Sequence, residues 1–344
     1  MGRVAVVSFR LGLSDGVSIE AAKWIHALRE LGHDVRTIAG EGPVDVTIRE
    51  LALGATSAPR VGQVRDALEG CDVVIVENLA SLPLHPSARN VLYEALEERD
   101  ALFHHHDLPW QRAHLAHLEG PRDAPRWHHV TINRRSGEEL LERGIEASTI
   151  YNHFDCDPPR GRRHETRTAL GVNGERVVLL PTRALPRKNV PAALALAERL
   201  GAVFWLLGPA EDGYDEELET LLAHAATTWR QGLPAGANIH DAYAACDLVV
   251  LASTWEGFGN PTIESVTHGR PLALAPYPVS EELRALGLQF YDLSDLDGLR
   301  REWAHPDTFR MQNNLDIVRT HLNLANLPHV LSRHWRTWGF AEAR

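Results

Sequence analysis

Glu256 and Glu264 stand with seven residues between them, on either side of a glycine turn in Ser253-Thr-Trp-Glu-Gly-Phe-Gly-Asn-Pro-Thr-Ile-Glu264. The run before them, Asp247-Leu-Val-Val-Leu-Ala252, reads as a short apolar strand. The run Pro261–His268 reads as a helix, with proline in its first turn and Gly269 as its stop. A strand, a glycine turn and a helix start make a cradle for anions and hydroxyls, because unpaired backbone N–H groups point out of the helix. An acid at the rim of such a cradle repels phosphate but accepts hydrogen bonds from paired hydroxyls. The chemistry implied is recognition of a sugar nucleotide, with amides and cations for the phosphates and carboxylates for the sugar.

Cations of the required kind lie between another apolar strand and another helix, in Pro181-Thr-Arg-Ala-Leu-Pro-Arg-Lys-Asn189. Arg183 offers a fork to phosphate oxygens, and Lys188 a point charge. Fixed positive charge lowers the barrier to departure of a diphosphate. Taken singly, these residues are ordinary solvated loop charges. Glu264 taken singly is explained by its place near a helix start, worth about 0.3–1 kcal/mol.

The histidine run His104-His-His-Asp107 follows a strand. Neighbouring strand residues point to opposite faces, so the three imidazoles do not all face one site. His106 is the first choice because it abuts Asp107, and His105 the second. Asp107 either orients a ring or caps the next segment. Pro109-Trp-Gln-Arg112 forms either pocket wall around Trp110 or packing. Near the N-terminus, Asp15-Gly-Val-Ser18 follows the first strand, with Gly16 allowing close backbone approach and Ser18 reading as a helix cap. Glu77 and Asn78 end the third strand.

The elements that must position these residues alternate. In the first half, strands are expected at 4–8, 34–39, 72–76, 101–105, 128–132 and 148–151, and helices at 18–31, 61–69, 86–98 and 136–143. In the second, strands are expected at 176–180, 202–207, 248–252 and 271–275, and helices at 189–200, 216–227, 261–268 and 280–285. Continuous Val, Ile and Leu runs between amphipathic helices indicate parallel sheets covered on both faces. The fold class is α/β: two doubly wound, Rossmann-like domains. The first spans 1–155, the second 156–325, and a C-terminal helix in 326–344 crosses back to the first. The polar, proline-ended stretch Asn152–Pro159 is the hinge. Open parallel sheets bind ligands at the C-terminal ends of their strands, so the cleft between two such domains is the expected site.

A formal net charge of -11 over 344 residues argues against nucleic acid as a partner. Cys71, Cys156 and Cys246 are few, odd in number and far apart, which points to reduced thiols in the cytoplasm. No leader pattern is evident, and no apolar run approaches the roughly 18 residues of a membrane span. Helix 21–31 has two formal cations and a glutamate, so contact with an anionic membrane surface is not favoured. Asp155-Cys-Asp157 and Asp295-Leu-Asp297 read as solvated turns, so no essential metal and no cofactor are expected.

In order along the chain, Asp15-Gly-Val-Ser18, His104–Asp107, Tyr151-Asn-His-Phe-Asp155, the Arg183–Lys188 segment and the two-glutamate motif resemble the retaining nucleotide-sugar glycosyltransferases of family 4, which have the GT-B fold. The resemblance spans nearly the whole chain and implies transfer of a hexose from a nucleotide diphosphate sugar to a hydroxyl acceptor. It implies that Glu264 holds the ribose and that Glu256 lies nearer the transferred sugar. Gly257, Phe258, Gly259 and Asn260 would present backbone amides, Arg183 and Lys188 would hold the diphosphate, and a histidine of 104–106 would meet the donor sugar. Gly16 would approach the donor. Asp15, Glu77, His105, Asp107 and Trp110 would lie on the acceptor side. UDP is expected before GDP, the base being held around residues 231–241, and the acceptor is expected to be small and soluble. Other readings of the same architecture are a nucleotide-sugar epimerase, needing no acceptor, and a non-catalytic sugar-nucleotide-binding protein.

Overall fold

The computed structural model describes residues 2–340, Pro83 and Asp212 excepted. The chain divides into two units. One runs to His153 and resumes at Leu324, and the other is Phe154–Asn323.

The first unit is built on seven parallel strands: β1 (Arg3–Arg10), β2 (Asp34–Glu41), β3 (Val46–Thr47), β4 (Val73–Glu77), β5 (Asp100–His105), β6 (Trp127–Thr131) and β7 (Ala147–Thr149). Their order is β3-β2-β1-β4-β5-β6-β7, and every pairing is parallel. The helices are α1 (Gly16–Glu30), α2 (Val61–Ala67), α3 (Pro86–Leu96) and α4 (Arg134–Leu141). Alternate strand residues feed two cores. Val4, Val6, Ile75 and Leu102 pack with Trp24 and Leu28 of α1, while Ala5, Val7, Val76 and Phe103 pack with Leu92 and Leu96 of α3. This strict alternation decides below where each histidine points.

The second unit has five parallel strands, β8 (Val177–Leu180), β9 (Val203–Leu206), β10 (Trp229–Gln231), β11 (Leu248–Leu251) and β12 (Leu272–Leu274), in the order β10-β9-β8-β11-β12. Around them lie α5 (Arg163–Ala169), α6 (Val190–Leu200), α7 (Asp215–Ala223), α8 (Ile239–Ala245), α9 (Asn260–Thr267), α10 (Ser280–Ala285), α11 (Leu296–Ala304) and α12 (Thr308–His321). All four residues of β8, β9 and β11 are buried, as expected of strands covered on both faces.

Two elements of the tail part company. Helix α12 lies on α9, whereas α13 (Leu327–Thr337) returns to α1. Leu327, Leu331 and Trp335, four apart, form the buried stripe of α13, and Trp335 packs on His33 with ring centroids 4.9 Å apart. Helix α13 lies in the part of the chain from Leu324 onward that belongs to the first unit.

Several elements differ from the sequence reading. Strands β3 and β10, two and three residues long, are too short to show a period. Helix α5 (RHETRTA) has little apolar face. It is tied down by its arginines: Arg163 donates to the Ala244 and Cys246 carbonyls and pairs with Asp247 at 2.7 Å. The segment 231–241, expected as one base-holding loop, starts in β10 and ends in α8. Asp241 closes a capping box with Asn238 there and pairs with Arg162 at 2.7 Å.

Candidate active site

In the second unit the site is built where β8 and β11 end side by side. The chain leaves β8 and makes a short 3₁₀ turn, Pro186–Lys188, then turns into α6 through Asn189, whose φ is +50°. Next to it, the chain leaves β11 and runs through Ser253–Gly259 into α9. The Thr254 amide donates to the Arg187 carbonyl at 2.9 Å, tying the two segments together.

That tie brings Lys188 and Glu256 into contact. Lys188 Nζ donates to Glu256 Oε1 at 2.5 Å, and Ser253 Oγ donates to the same oxygen at 2.5 Å. Arg187 reaches Glu256 Oε2 at 3.2 Å. Lys188 and Glu256 are each 7% exposed. Burial pushes the Glu256 carboxyl up, but the charges of Lys188 and Arg187 and the hydrogen bonds from Lys188 and Ser253 outweigh it and hold it below its ordinary value. Burial also draws the Lys188 ammonium below its ordinary value, against the opposing pull of Glu256. The cluster holds one carboxylate and two cations, so it keeps one excess positive charge for an anion. Arg187, which the resemblance does not select, supplies that excess. Its signal in the sequence was only its adjacency to Lys188.

Arg183 stands apart from this group. It pairs with Glu211 at 2.6 Å with both side chains about two-fifths exposed, a solvated pair of small energetic weight. It is the more easily released cation.

The glycine turn enters α9 through Gly259, whose φ is +86° and which precedes the first helical residue, Asn260. A Cβ at Gly259 would lie 2.2 Å from the Tyr277 hydroxyl, so only glycine fits. Tyr277 Oη donates to the Phe258 carbonyl at 3.0 Å, and the Phe258 ring is buried near Phe154. Phe258 can thus offer only backbone. Glu264 lies in the second turn of α9, not at its start, and its Oε2 accepts from Tyr243 Oη at 2.6 Å. Tyr243 is fully buried and sequence reasoning missed it; its role depends on packing between α8 and α9.

In the first unit the candidate residues gather at the ends of β4 and β5. Glu77 is paired with His104 in the strand register. Strand alternation puts His104 and His106 on the α1 face, and both rings meet Glu77. His104 Nδ1 is 3.0 Å and His106 Nε2 2.9 Å from Glu77 Oε2. All three are buried, and Trp24 covers His104 at 4.2 Å between ring centroids. Burial would raise the Glu77 carboxyl, but His104 and His106, by charge and hydrogen bond, hold it at about 2. Burial likewise opposes charge on His106, but Glu77, Glu20 and Asp107 raise it above the ordinary imidazole value. His104 is lowered by burial, and its Nε2 is buried without a hydrogen-bond partner, so a proton there would be an orphaned donor. The arrangement is a carboxylate between two imidazoles, of which His106 is favoured and His104 disfavoured as the charged partner. Among the described residues, these three form the one group whose ligand atoms are close enough to hold a metal ion, within 4.8 Å. The hydrogen bonds account for the same geometry.

Other expected residues land elsewhere. His105 points away from Glu77, to the opposite face, where its Nδ1 meets Ser81 Oγ at 2.6 Å; the pleat forces this. Asp107 pairs with Arg112 at 2.9 Å. Trp110 donates to Glu139 at 2.8 Å and is covered by the Arg143 guanidinium, 3.8 Å from the ring, so it packs. The cap of α1 is Asp15, which accepts from the Ser18 amide, while Ser18 itself lies inside the first turn. Gly16 is the first residue of α1, and a Cβ there would meet nothing within 4 Å. Asn78, hardly weighed in the sequence, accepts from the His106 and Asp107 amides. Asp155 accepts from the Asp157 amide and Asp295 caps α11, so both Asp-x-Asp runs are turn or cap residues.

Residues 162–285 match the family model described as glycosyl transferases group 1. The mannosylglucosylglycerate synthase of Thermotoga maritima is 26% identical, with 96% of this chain and 99% of the relative aligned. The protein of the same name from Petrotoga mobilis is 23% identical over 84% and 86%. Among solved structures, Anabaena HepE in complex with UDP-glucose superposes with a TM-score of 0.76 at 17% identity, over 97% of this chain and 99% of that one. The sucrose-phosphate synthase of Thermosynechococcus elongatus gives 0.72 at 15%, over 98% and 99%. The fold is GT-B. Together the similarities support a glycosyltransferase, and they do not favour the epimerase or the non-catalytic reading. No helix among the described residues is long and apolar enough to cross a membrane.

Proposed function

We propose that this GT-B glycosyltransferase is a retaining hexosyltransferase of family 4. The observation that carries the reading is the Lys188–Glu256–Arg187 cluster beside the start of α9, inside the segment that matches the glycosyl transferases group 1 model. Lys188 and Arg187, joined by Arg183 on release from Glu211, hold the donor diphosphate and stabilise its charge as the glycosidic bond breaks. Glu264 accepts from the ribose hydroxyls, and Glu256 and the Gly257–Asn260 amides from the transferred sugar. The departing diphosphate stays on the face it leaves and takes the acceptor proton, so configuration is retained without a covalent enzyme intermediate. His106, whose Nε2 is engaged by Glu77, offers its Nδ1 side to a sugar hydroxyl.

This reading assigns the phosphate charge to side chains and needs no divalent ion; chelation by EDTA should leave turnover unchanged. UDP is the first nucleotide to try, supported by HepE, which binds UDP-glucose; GDP is the second. The name of the two curated relatives points to a small glycoside bearing a carboxylate as acceptor, and to mannose as the hexose. The three cysteines are free and buried, which suits a cytoplasmic enzyme.

The test is a thermal-shift panel of UDP, GDP and their glucose and mannose conjugates, followed by NMR of the product formed with glucosylglycerate. A shift with one nucleotide and an axial linkage from an axial donor are expected. No shift with any nucleotide at millimolar concentration would overturn the reading, and an inverted linkage would overturn retention.

A further inference from the structure

On the face of the first sheet away from Glu77, four polar residues form an unbroken hydrogen-bonded chain. Ser81 Oγ lies 2.6 Å from His105 Nδ1, His105 Nε2 lies 2.9 Å from His129 Nδ1, and His129 Nε2 lies 3.2 Å from Asp123 Oδ1. The planes of the two imidazoles are nearly parallel, at 4°. Ser81, His105 and His129 are at most 2% exposed, and Asp123 reaches the surface. None of these groups belongs to the site described above.

The chemistry of each member fixes the direction of the chain. A carboxylate only accepts, so His129 Nε2 carries a proton. With His129 neutral, its Nδ1 accepts and His105 Nε2 donates. His105 Nδ1 is then the acceptor for the Ser81 hydroxyl. Burial keeps both rings below the ordinary imidazole value, in keeping with two neutral rings. Every polar hydrogen in the chain then has one acceptor.

What the chain holds is the Asn78 turn. Asn78 has φ +57°, in the left-handed region that few residues other than glycine occupy. Its amide donates to the His104 carbonyl at 3.0 Å, and the Ser81 amide closes the turn on the Asn78 carbonyl at 3.1 Å. Held in this way, the Asn78 side-chain oxygen accepts from the His106 amide at 3.1 Å and the Asp107 amide at 3.4 Å. The turn is thus pinned at Ser81 from behind the sheet and presents Asn78 to the front.

We propose that Ser81, His105 and His129 are positioning residues: their chain fixes the Asn78 corner and, through it, the backbone of His106 and Asp107. The catalytic consequence rests on the function proposed above; the geometric one does not. In the full chain, Ser81→Ala removes the terminal donor, whereas Ser81→Thr retains it. Hydrogen exchange followed by NMR should show the His106 and Asp107 amides exchanging about tenfold faster in Ser81→Ala, the scale of one lost hydrogen bond, with Thr restoring protection. Imidazole nitrogen spectra should show both His105 and His129 protonated at Nε2 only. Equal exchange in all three proteins, or His105 protonated at Nδ1, would overturn the proposal. With an acceptor in hand, Ser81→Ala should lower kcat about tenfold at unchanged donor KM, and Thr should restore it. An unchanged kcat would overturn the catalytic consequence, while absence of turnover in the parent protein would count against the transferase reading and leave the exchange result decisive for the chain.

Discussion

Two buried carboxylates organise the two units, and their partners differ in kind. Glu77 in the first unit meets two imidazoles at 2.9 and 3.0 Å, at the end of a strand. Glu256 in the second is neutralised by an ammonium at 2.5 Å and a guanidinium at 3.2 Å, in a glycine turn. Both sit below the ordinary carboxyl value despite burial, so both remain ionised near neutrality. The cations around Glu256, an ammonium and a guanidinium, exceed it by one. The positive partner of Glu77 is a histidine, which can give up its proton. The second unit is therefore suited to holding an anion, and the first to offering a hydrogen bond whose donor depends on pH.

The sharpest break in that comparison is Lys188→Ala. It removes the proposed phosphate ligand and leaves Glu256 buried with Arg187 as its one remaining cation among the described residues. Turnover should fall by about two to three orders of magnitude, and stability by about 3–5 kcal/mol, the scale for breaking a buried pair on one side. Lys188→Met combined with Glu256→Gln should recover much of the stability and none of the turnover. A near-normal rate in Lys188→Ala would remove the phosphate role altogether. Arg187→Met tests the excess charge alone. It should cost about tenfold in turnover, with a larger effect on donor affinity than Arg183→Met, because Arg183 is already solvated and paired with Glu211.

The pH dependence separates the two carboxylates. His106 is raised in the folded chain, so its stabilisation is fully present below the ordinary imidazole value of 6.5 and is lost as pH rises through the raised one. Glu77 is depressed to about 2, so its contribution is present above the ordinary 4.5 and is lost as pH falls through about 2. Both act together between those two ordinary values. His104, lowered by burial, works against them as pH falls below 6.5. The difference between parent and His106→Gln isolates the His106 part. The variant should lower the thermal midpoint more at pH 5.5 than at pH 8.5. Equal losses at the two values would mean that His106 is not the cation of the cluster.

The same comparison shows what the sequence made legible. The second unit's site is local: strand, Gly-Phe-Gly turn and helix start are consecutive, and Lys188 follows its own strand by a few residues. Its residue types could be read directly, although the Lys188–Glu256 contact depends on the tie between Thr254 and Arg187, which no spacing shows. The first unit's corner is non-local. Glu77 meets His104 only through the β4–β5 register, and a shift of one residue would have put His105 there instead. The rule that adjacent strand residues diverge excluded three converging imidazoles, but it could not choose the face. Helices α5 and α8 escaped because arginine pairs and a capping box hold them, with little help from a long apolar stripe.

The smallest expected effect is at Tyr243, and it refines the second unit's half of the comparison. Glu264 accepts from the neutral Tyr243 hydroxyl at 2.6 Å, whereas Glu256 meets Lys188 and Arg187 as well as the Ser253 hydroxyl. Burial and the neighbouring Glu264 charge both raise the tyrosine far above its ordinary value, so it stays a donor at any working pH. Tyr243→Phe keeps the ring packed between α8 and α9 and deletes one hydrogen bond, worth about 0.5–1.5 kcal/mol. If Glu264 holds the ribose, the loss should appear as a rise in donor KM of about threefold to tenfold at nearly constant kcat. It should vanish in a Glu264→Gln background, since the partner being oriented has already changed. An equal loss in both backgrounds would show that Tyr243 acts by packing, and that Glu264 is held in place by α9 itself.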